Sequence, residues 1–273
     1  MSNLNTTYIF SLPEGHWPRD KSANSVCSMV LHTLQLPEVK AIKGSRVVNF
    51  DCDNCAGQNK NRWVVWFCSF LVFVGLCDAV TLHFMIAGHT KNAADGGFGQ
   101  FKRAMKSQDV ITPQDVNRVL NTCSKAVTGI PSYHVKWVNW KRLLETVYSK
   151  PVERISKMHM MSFRQDGVVL MQETSSSPAK EHRLLTEGVD VASFKENWRE
   201  MITQEAFMLP IKPLEELQQG DMSRRTYLTK HVVDRSYSKV DGFADRYFGD
   251  GSGWEEGPFE ETVVTQRFTP RFQ

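Results

Sequence analysis

Hydrophobic and polar positions along the first 106 residues alternate between short β-favouring runs and segments that favour helices. The β-favouring runs are residues 8–12, 47–52 and 80–86. Helical spacing of apolar residues in 22–35 predicts a helix, and segments 59–77 and 97–106 are further helix candidates. The resulting order, β-α-β-α-β-α, predicts an α/β fold in which helices cover a mixed sheet.

Segment 59–77 is the most apolar of these predicted helices. Its apolar residues fall on all sides, which predicts a helix buried against one face of the sheet. Residues 63–77 form a run of fifteen apolar or small residues without a charge. A transmembrane helix needs about 20 such residues, so we expect no membrane association.

The remainder of the chain predicts an α+β extension. Thr112 and Pro113 mark a helix start. Residues 133–138 are predicted as a strand, 139–148 and 194–208 as helices, and 158–163 with 168–173 as a hairpin around Asp166-Gly167. We therefore divide the chain into a core at 1–150, an α+β extension at 151–235 and a flexible acidic tail at 236–273.

Two polar stretches, each following an apolar strand, suggest a paired-carboxylate site. Asp53 follows the alternating strand 47–52, and Asp95 lies in the stretch after strand 80–86. Ligands of α/β sheets gather at the carboxyl ends of strands. Mg²⁺ favours one or two carboxylates with waters and substrate phosphates, and two ions about 4 Å apart suit phosphodiester cleavage. We expect the two carboxyls to lie roughly 4–8 Å apart.

Residues near these acids are candidates for substrate binding. Gln58, Asn59 and Lys60 precede the long helix, where unpaired N–H groups attract phosphate, although a plain helix cap explains them as well. His89 and Thr90 suit a phosphate contact or the orientation of a metal site, with a capped turn as the alternative.

The motifs DNCAGQNKNR at 53–62 and GHTKNAADGGFGQFKR at 88–103 resemble an uncharacterised domain family thought to derive from DNA transposases. The resemblance covers residues 8–103 and extends more loosely to about residue 144. It implies a ribonuclease H-like fold, with Asp53 and Asp95 as the second and third acids of an Asp-Asp-Asp/Glu triad that binds Mg²⁺ or Mn²⁺. It also places Asn54 of the first motif and Lys102 of the second among the substrate-binding residues.

The chain departs from the family pattern at its beginning. Only seven residues precede Tyr8, none of them acidic, and residues 8–12 resemble the third strand of such a core. We therefore expect an incomplete ribonuclease H-like core without its first acid. Glu14 and Asp20 are the nearest replacements, and ordinary loop acids are the alternative for both.

The charge distribution suits a nucleic acid as the partner, and the resemblance to transposases implies DNA. Residues 1–150 carry 17 Lys/Arg and 10 Asp/Glu, a formal charge of +7, whereas 151–273 carry 16 and 20, a charge of −4. Basic clusters in the first half, among them Lys60/Arg62 and Lys102/Arg103/Lys106, suit a phosphate backbone. Scattered solvated charge is the alternative. Tyr133, His134, Trp137 and Trp140 lie near basic residues, either as base-stacking aromatics or as core aromatics.

The six cysteines lie mostly in apolar runs, as expected of reduced thiols in an intracellular compartment, of which the nucleus is one candidate. Cys52 and Cys55 form a single C-x-x-C pair. Zinc would need two further ligands, such as His83 and His89, so we favour buried strand-end cysteines over a zinc site.

Three functions remain open at this stage. The first is a transposase-derived nuclease or strand-transfer domain using Mg²⁺ or Mn²⁺ on DNA, which we expect to be catalytically incomplete. The second is a non-catalytic nucleic-acid or protein-interaction remnant of such a domain. The third is an unrelated zinc or phosphate-binding enzyme. Oligomerisation is left open.

Overall fold

The computed structural model describes residues 6–13, 17–18, 20–41, 44, 46–85, 93–108, 110, 113–212, 216, 218–219 and 222–223. Backbone contacts divide the chain into two compact units. The smaller unit comprises Met1–Trp17, Ala93–Ser132 and Ile211–Gln273, and the larger unit comprises Pro18–Asn92 and Tyr133–Pro210. The predicted acidic tail lies outside the described residues, so the three-part division of the sequence stays a prediction.

The described residues form a mixed α/β structure with seven α-helices. The strands are β1 (Thr7–Ser11), β2 (Val47–Cys52), β3 (Ala79–Phe84), β4 (Val127–Pro131), β5 (Met160–Phe163), β6 (Val168–Gln172), β7 (Lys180–Arg183), β8 (Gln218–Gln219) and β9 (Met222–Ser223). The helices are α1 (Ala23–Gln35), α2 (Pro37–Lys40), α3 (Arg62–Phe73), α4 (Ala93–Lys106), α5 (Pro113–Thr122), α6 (Trp140–Leu144) and α7 (Val191–Met201).

The larger unit is built on a five-stranded mixed sheet in the order β2-β3-β5-β6-β7. β2 and β3 are parallel and in register from Val47–Ala79 to Cys52–Phe84. The β3–β5, β5–β6 and β6–β7 pairs are antiparallel. The parallel pair places the ends of β2 and β3 at the same edge of the sheet, which is where the predicted strand-end acid Asp53 follows β2.

Helix α3 is the central element of the larger unit's core. All ten residues from Val64 to Phe73 are buried, which confirms the prediction of a helix buried on all sides. It packs on β3, β5, α1 and α6. Phe70 contacts Trp140 and Trp198, with ring centroids 5.4 Å and 5.2 Å apart. Burying each such aromatic side chain stabilises the fold by about 1.5–3 kcal/mol.

The bounds of α3 are narrower than the predicted 59–77 because both ends are fixed by local chemistry. Asn61 is the N-cap, and its side-chain oxygen accepts from the backbone N–H groups of Trp63 and Val64, each at 3.1 Å. At the other end, Gly75 adopts a φ of 72°, which favours glycine and ends the helix.

The smaller unit contains a separate two-stranded parallel sheet of β1 and β4, with α4 and α5 packed on it. Two glycines allow the helices and strands of this unit to pack closely. A Cβ on Gly97 of α4 would lie 2.8 Å from the Cβ of Thr7, and one on Gly129 of β4 would lie 2.7 Å from the Cβ of Leu120. β1 pairs with β4 in this sheet and is not a strand of the sheet that contains β2 and β3.

The predicted strand at 133–138 is wrong. Ser132–His134 form a 3₁₀ turn, and Val138 makes only an isolated bridge to Met208. The strand lies earlier, at β4, where it pairs with β1. Val138 instead donates its backbone N–H to the Ser28 side chain at 3.0 Å, so its burial comes from a loop fixed against α1.

Candidate nucleic-acid and metal site

The candidate site begins at β2, an edge strand of the larger unit's sheet. Val47, Asn49 and Asp51 are exposed, whereas the alternate residues Val48, Phe50 and Cys52 are half-buried. The predicted alternation of this strand is therefore confirmed. Asp53 follows directly and is also exposed, so its carboxylate lies at the carboxyl end of the strand and in contact with solvent.

Two hydrogen bonds fix the Asp53 carboxylate. Its Oδ1 accepts from the backbone N–H of Cys55 at 3.1 Å and from Nδ2 of Asn59 at 2.6 Å. Oδ2 receives no hydrogen bond from the part of the chain that the structure describes. The carboxylate is thus held in one orientation with one oxygen open, an arrangement that suits a hard cation completing its shell with water and phosphate.

Backbone N–H groups in the turn between Asp53 and α3 are hydrogen-bonded to a carbonyl of the same turn. The N–H groups of Gln58, Asn59 and Lys60 all point to the carbonyl of Cys55, at 3.2, 2.8 and 3.0 Å. These three residues precede α3, and their N–H groups already have an acceptor, so the predicted binding of phosphate by this segment stays a prediction. Any anion contact from this turn has to come from side chains.

Lys60 is the most unusual side chain of the turn, since it is a cation only 7% exposed. Its Nζ donates to Oδ1 of Asn54 at 2.8 Å and lies 4.8 Å from the centre of the Phe84 ring. Asn54 in turn donates to the carbonyl of Met85, which ties the turn to the end of β3. Burial lowers the pKa of Lys60.

No carboxylate pairs with Lys60 among the ion pairs of the described residues. Taking a cation out of water without a counter-charge costs stability. A shielded cation without a paired carboxylate in the described residues is a candidate contact for a ligand that carries negative charge.

Asp95 and Lys102 belong to α4 in the smaller unit. Asp95 lies exposed in the first turn of that helix, and the Nζ of Lys102 lies 5.4 Å from the centre of the Phe98 ring. Asp53 belongs to the larger unit, so the predicted pairing of Asp53 with Asp95 stays a prediction. His89, Thr90 and Glu14 lie outside the described residues.

Asp20 has a structural role. Its Oδ1 accepts from the backbone N–H of Ser22 and its Oδ2 from Nδ2 of Asn24, both at 2.8 Å. Both oxygens therefore support the start of α1, as expected of a loop acid that helps to cap a helix.

The cysteines are free thiols in varied surroundings. Cys52 is half-buried, and burial together with the charges of Asp53 and Asp51 raises its pKa to about 12. Cys55 is exposed, contrary to the expectation that both residues of the C-x-x-C pair are buried. Within the described ranges, no group of three or more His, Cys, Asp or Glu side chains is arranged to hold a metal ion.

The aromatic residues near position 137 separate into two kinds. Trp137 and Trp140 are buried core residues, 2% and 0% exposed, so the base-stacking alternative is wrong for them. Tyr133 is exposed, and its ring meets that of His134 edge-on at 4.5 Å. Burial raises the pKa of Tyr133 and lowers that of His134.

One contact at the candidate site is not predicted from the sequence. Arg62 is expected in a basic cluster with Lys60, and Trp63 in the apolar helix, but the guanidinium carbon of Arg62 lies 4.4 Å from the centre of the half-buried Trp63 ring. The signal was an arginine next to a tryptophan at a helix start, directly after a polar turn.

The described residues contain no helix both long and apolar enough to cross a membrane. A family model described as "Domain of unknown function (DUF7869)" matches residues 6–178, and the chain therefore belongs to that family. Comparisons with curated proteins and with solved structures found no match.

Proposed function

We propose that this member of the DUF7869 family is a transposase-derived, intracellular domain that binds DNA, with Mg²⁺ or Mn²⁺ held between Asp53 and a DNA phosphate. The resemblance of its two motifs to transposase-derived domains supports this origin. The proposal includes descent of the mixed sheet from a ribonuclease H-like core.

The observation that carries the proposal is the combination of Asp53 and Lys60 in one turn. Asp53 offers an open carboxylate oxygen, and Asn59 fixes its direction. Lys60 offers an ammonium on a largely buried side chain, without a carboxylate partner in the described residues. A cation bound to the carboxylate and an ammonium beside it are both complementary to a phosphodiester.

A single carboxylate is a weak site for a divalent cation on its own. Mg²⁺ in proteins is commonly bound by one or two carboxylates together with waters and substrate phosphates. We therefore expect the metal and the DNA to bind cooperatively, because each supplies charge that the other needs. Asp53, Asn59 and Lys60 would orient the phosphate, and the metal would supply charge neutralisation.

The test is the affinity of the full chain for a fluorescein-labelled DNA duplex, measured by anisotropy with Mn²⁺, with Mg²⁺ and with EDTA. We expect the divalent cation to tighten binding by the unmodified chain. Asp53→Asn keeps the shape of the side chain and removes its charge. This variant should lose about tenfold or more in metal affinity, together with the metal-dependent part of DNA binding.

Glu145→Gln is the matched control, because it removes one negative charge from an exposed position of the same unit. It should leave the response to Mn²⁺ intact. An Asp53→Asn variant that still responds to Mn²⁺ like the unmodified chain would contradict the metal site. Cleavage of the labelled DNA with Mn²⁺ that disappears in Asp53→Asn would show that the chain is a nuclease and does more than bind DNA.

A further inference from the structure

The start of α3 carries a tryptophan that differs from the other described tryptophans. Trp63 is half-buried, whereas the rest are buried: Trp17, Trp66, Trp137, Trp140 and Trp198. Its ring meets that of Trp66 edge-on, with centroids 5.0 Å apart, and Trp66 stacks on Tyr148 at 5.8 Å. The core therefore fixes the orientation of the Trp63 ring while part of the ring faces solvent.

Arg62 lies over the same aromatic pair. Its guanidinium carbon is 4.4 Å from the centre of the Trp63 ring and 5.6 Å from that of Trp66. The side chain is exposed and takes part in no ion pair of the described residues. The rings position this cation, and no carboxylate of the described residues forms an ion pair with it.

The N-terminus of α3 does not itself supply an anion site here. Asn61 already caps the N–H groups of Trp63 and Val64. Recognition at this point therefore rests on side chains, which are two cations and one solvent-facing ring within four consecutive residues, Lys60 to Trp63.

An aromatic ring flanked by cations is complementary to one form of nucleic acid in particular. Cations contact phosphates in any form, but a protein ring can stack on a base only where the base is free of its neighbours. Bases inside a duplex are stacked on one another. A half-exposed, rigidly held tryptophan is therefore useful only toward a strand whose bases are accessible.

We propose that the start of α3 binds single-stranded DNA, with one base stacked on Trp63 and the neighbouring phosphates contacted by Arg62 and Lys60. This inference rests on the proposed DNA-binding function and adds the form of DNA that the site recognises.

The experiment compares binding of a labelled oligothymidine with binding of a duplex of the same length, by anisotropy, for the full chain and its variants. The unmodified chain should prefer the single strand. Trp63→Leu should weaken binding of the single strand by about tenfold, within the range of base–aromatic stacking, and leave duplex binding unchanged. Trp63→Phe retains a ring and should keep most of the preference.

Phe207→Leu is the matched control. Phe207 is also half-buried, and the guanidinium carbon of Arg142 lies 5.8 Å from its ring centre, so it forms a similar pair elsewhere in the larger unit. This variant should leave both affinities unchanged. A second readout is tryptophan fluorescence, which the oligonucleotide should quench in the unmodified chain and quench less in Trp63→Phe.

The outcomes distinguish failure of this inference from failure of the proposed function. If Trp63→Leu and Trp63→Phe leave the single-strand preference and the quenching unchanged while DNA still binds, the stacking role is overturned and the proposed function stands. An equal loss in Phe207→Leu also overturns the stacking role. If neither form of DNA binds the unmodified chain at low salt, both proposals fail.

Discussion

At the scale of single residues, the proposed role of Lys60 in binding a ligand comes at a cost in stability. Burial lowers its pKa, so the folded chain disfavours the charged form that it carries at neutral pH. A lowered lysine pKa means that the unfolded chain binds more protons. Stability is therefore reduced at neutral pH and recovers as pH rises from the folded pKa toward the unfolded value near 10.5.

Replacing Lys60 with methionine should separate these effects. Lys60→Met keeps a long apolar stem against Phe84 and removes the buried charge. We expect the melting temperature at neutral pH to rise, because burial disfavours the charged form of Lys60, while the affinity for DNA falls. Differential scanning fluorimetry and anisotropy measure the two changes.

Lys195→Met is the control for this pair of effects. The Nζ of Lys195 lies 4.3 Å from the centre of the Phe73 ring, but the residue is exposed, so its charge carries little burial cost. Neither stability nor DNA affinity should rise or fall appreciably in this variant. A lower melting temperature for Lys60→Met would show that Lys60 is retained for the fold and not for a ligand.

At the scale of elements, α1 holds the segment that leads into α6. The buried Oγ of Ser28 accepts from the backbone N–H of Val138 at 3.0 Å and from Nε1 of Trp140 at 3.1 Å, and donates to the carbonyl of Asn24 at 2.8 Å. Ser28→Ala leaves two donors without this acceptor. We expect a loss of about 2 kcal/mol in the free energy of unfolding, measured by urea denaturation.

Ser25 provides the contrast within the same helix. Its side-chain oxygen is buried and makes no hydrogen bond among the described residues. Ser25→Ala removes an unsatisfied hydroxyl and favours the helix slightly, so it should be neutral or stabilising. If Ser25→Ala costs as much as Ser28→Ala, the hydrogen bonds of Ser28 are not what holds the segment.

The elements also show which parts of the fold were predictable from sequence. Exposed and half-buried residues alternate along β2, and α3 is apolar on all sides. The local sequence of each element was therefore enough to predict it. β4 was missed because Gly129 and Pro131 weaken its strand pattern, while the close packing of Leu120 makes that glycine necessary. The strand predicted at 133–138 had the residues of a strand but lacked a neighbouring strand to pair with.

The candidate site was likewise only partly predictable from the sequence. Asp53 was predictable, because a strand-end acid in a polar turn is visible as a motif. The burial of Lys60 and the position of Arg62 over Trp63 were not, because both depend on side chains that fold onto Phe84 and Trp66. Contacts of this kind have no periodicity that a sequence would show.

At the scale of the whole molecule, the net charge of +3 conceals an uneven distribution, with +7 in residues 1–150 and −4 in 151–273. Binding of a polyanion by the basic half releases counterions, so DNA affinity should fall steeply as salt rises. In a plot of log affinity against log salt concentration, Arg62→Gln should reduce the slope by about 1, the effect of one lost phosphate contact.

Arg142→Gln is the control for this salt dependence. It removes the same charge from another exposed arginine that lies over an aromatic ring. Its slope should match that of the unmodified chain. Equal slopes for Arg62→Gln and the unmodified chain would place the phosphate contacts elsewhere.

The exposure of Cys55 has a practical consequence. Burial raises the pKa of the other five thiols, Cys27, Cys52, Cys68, Cys77 and Cys123, which lowers the fraction of reactive thiolate at neutral pH. A maleimide dye will therefore react first at Cys55, whose backbone N–H bonds the Asp53 carboxylate. The native chain thus carries its own attachment point for a reporter, placed where the arrival of a cation or a DNA strand would change the emission of the dye.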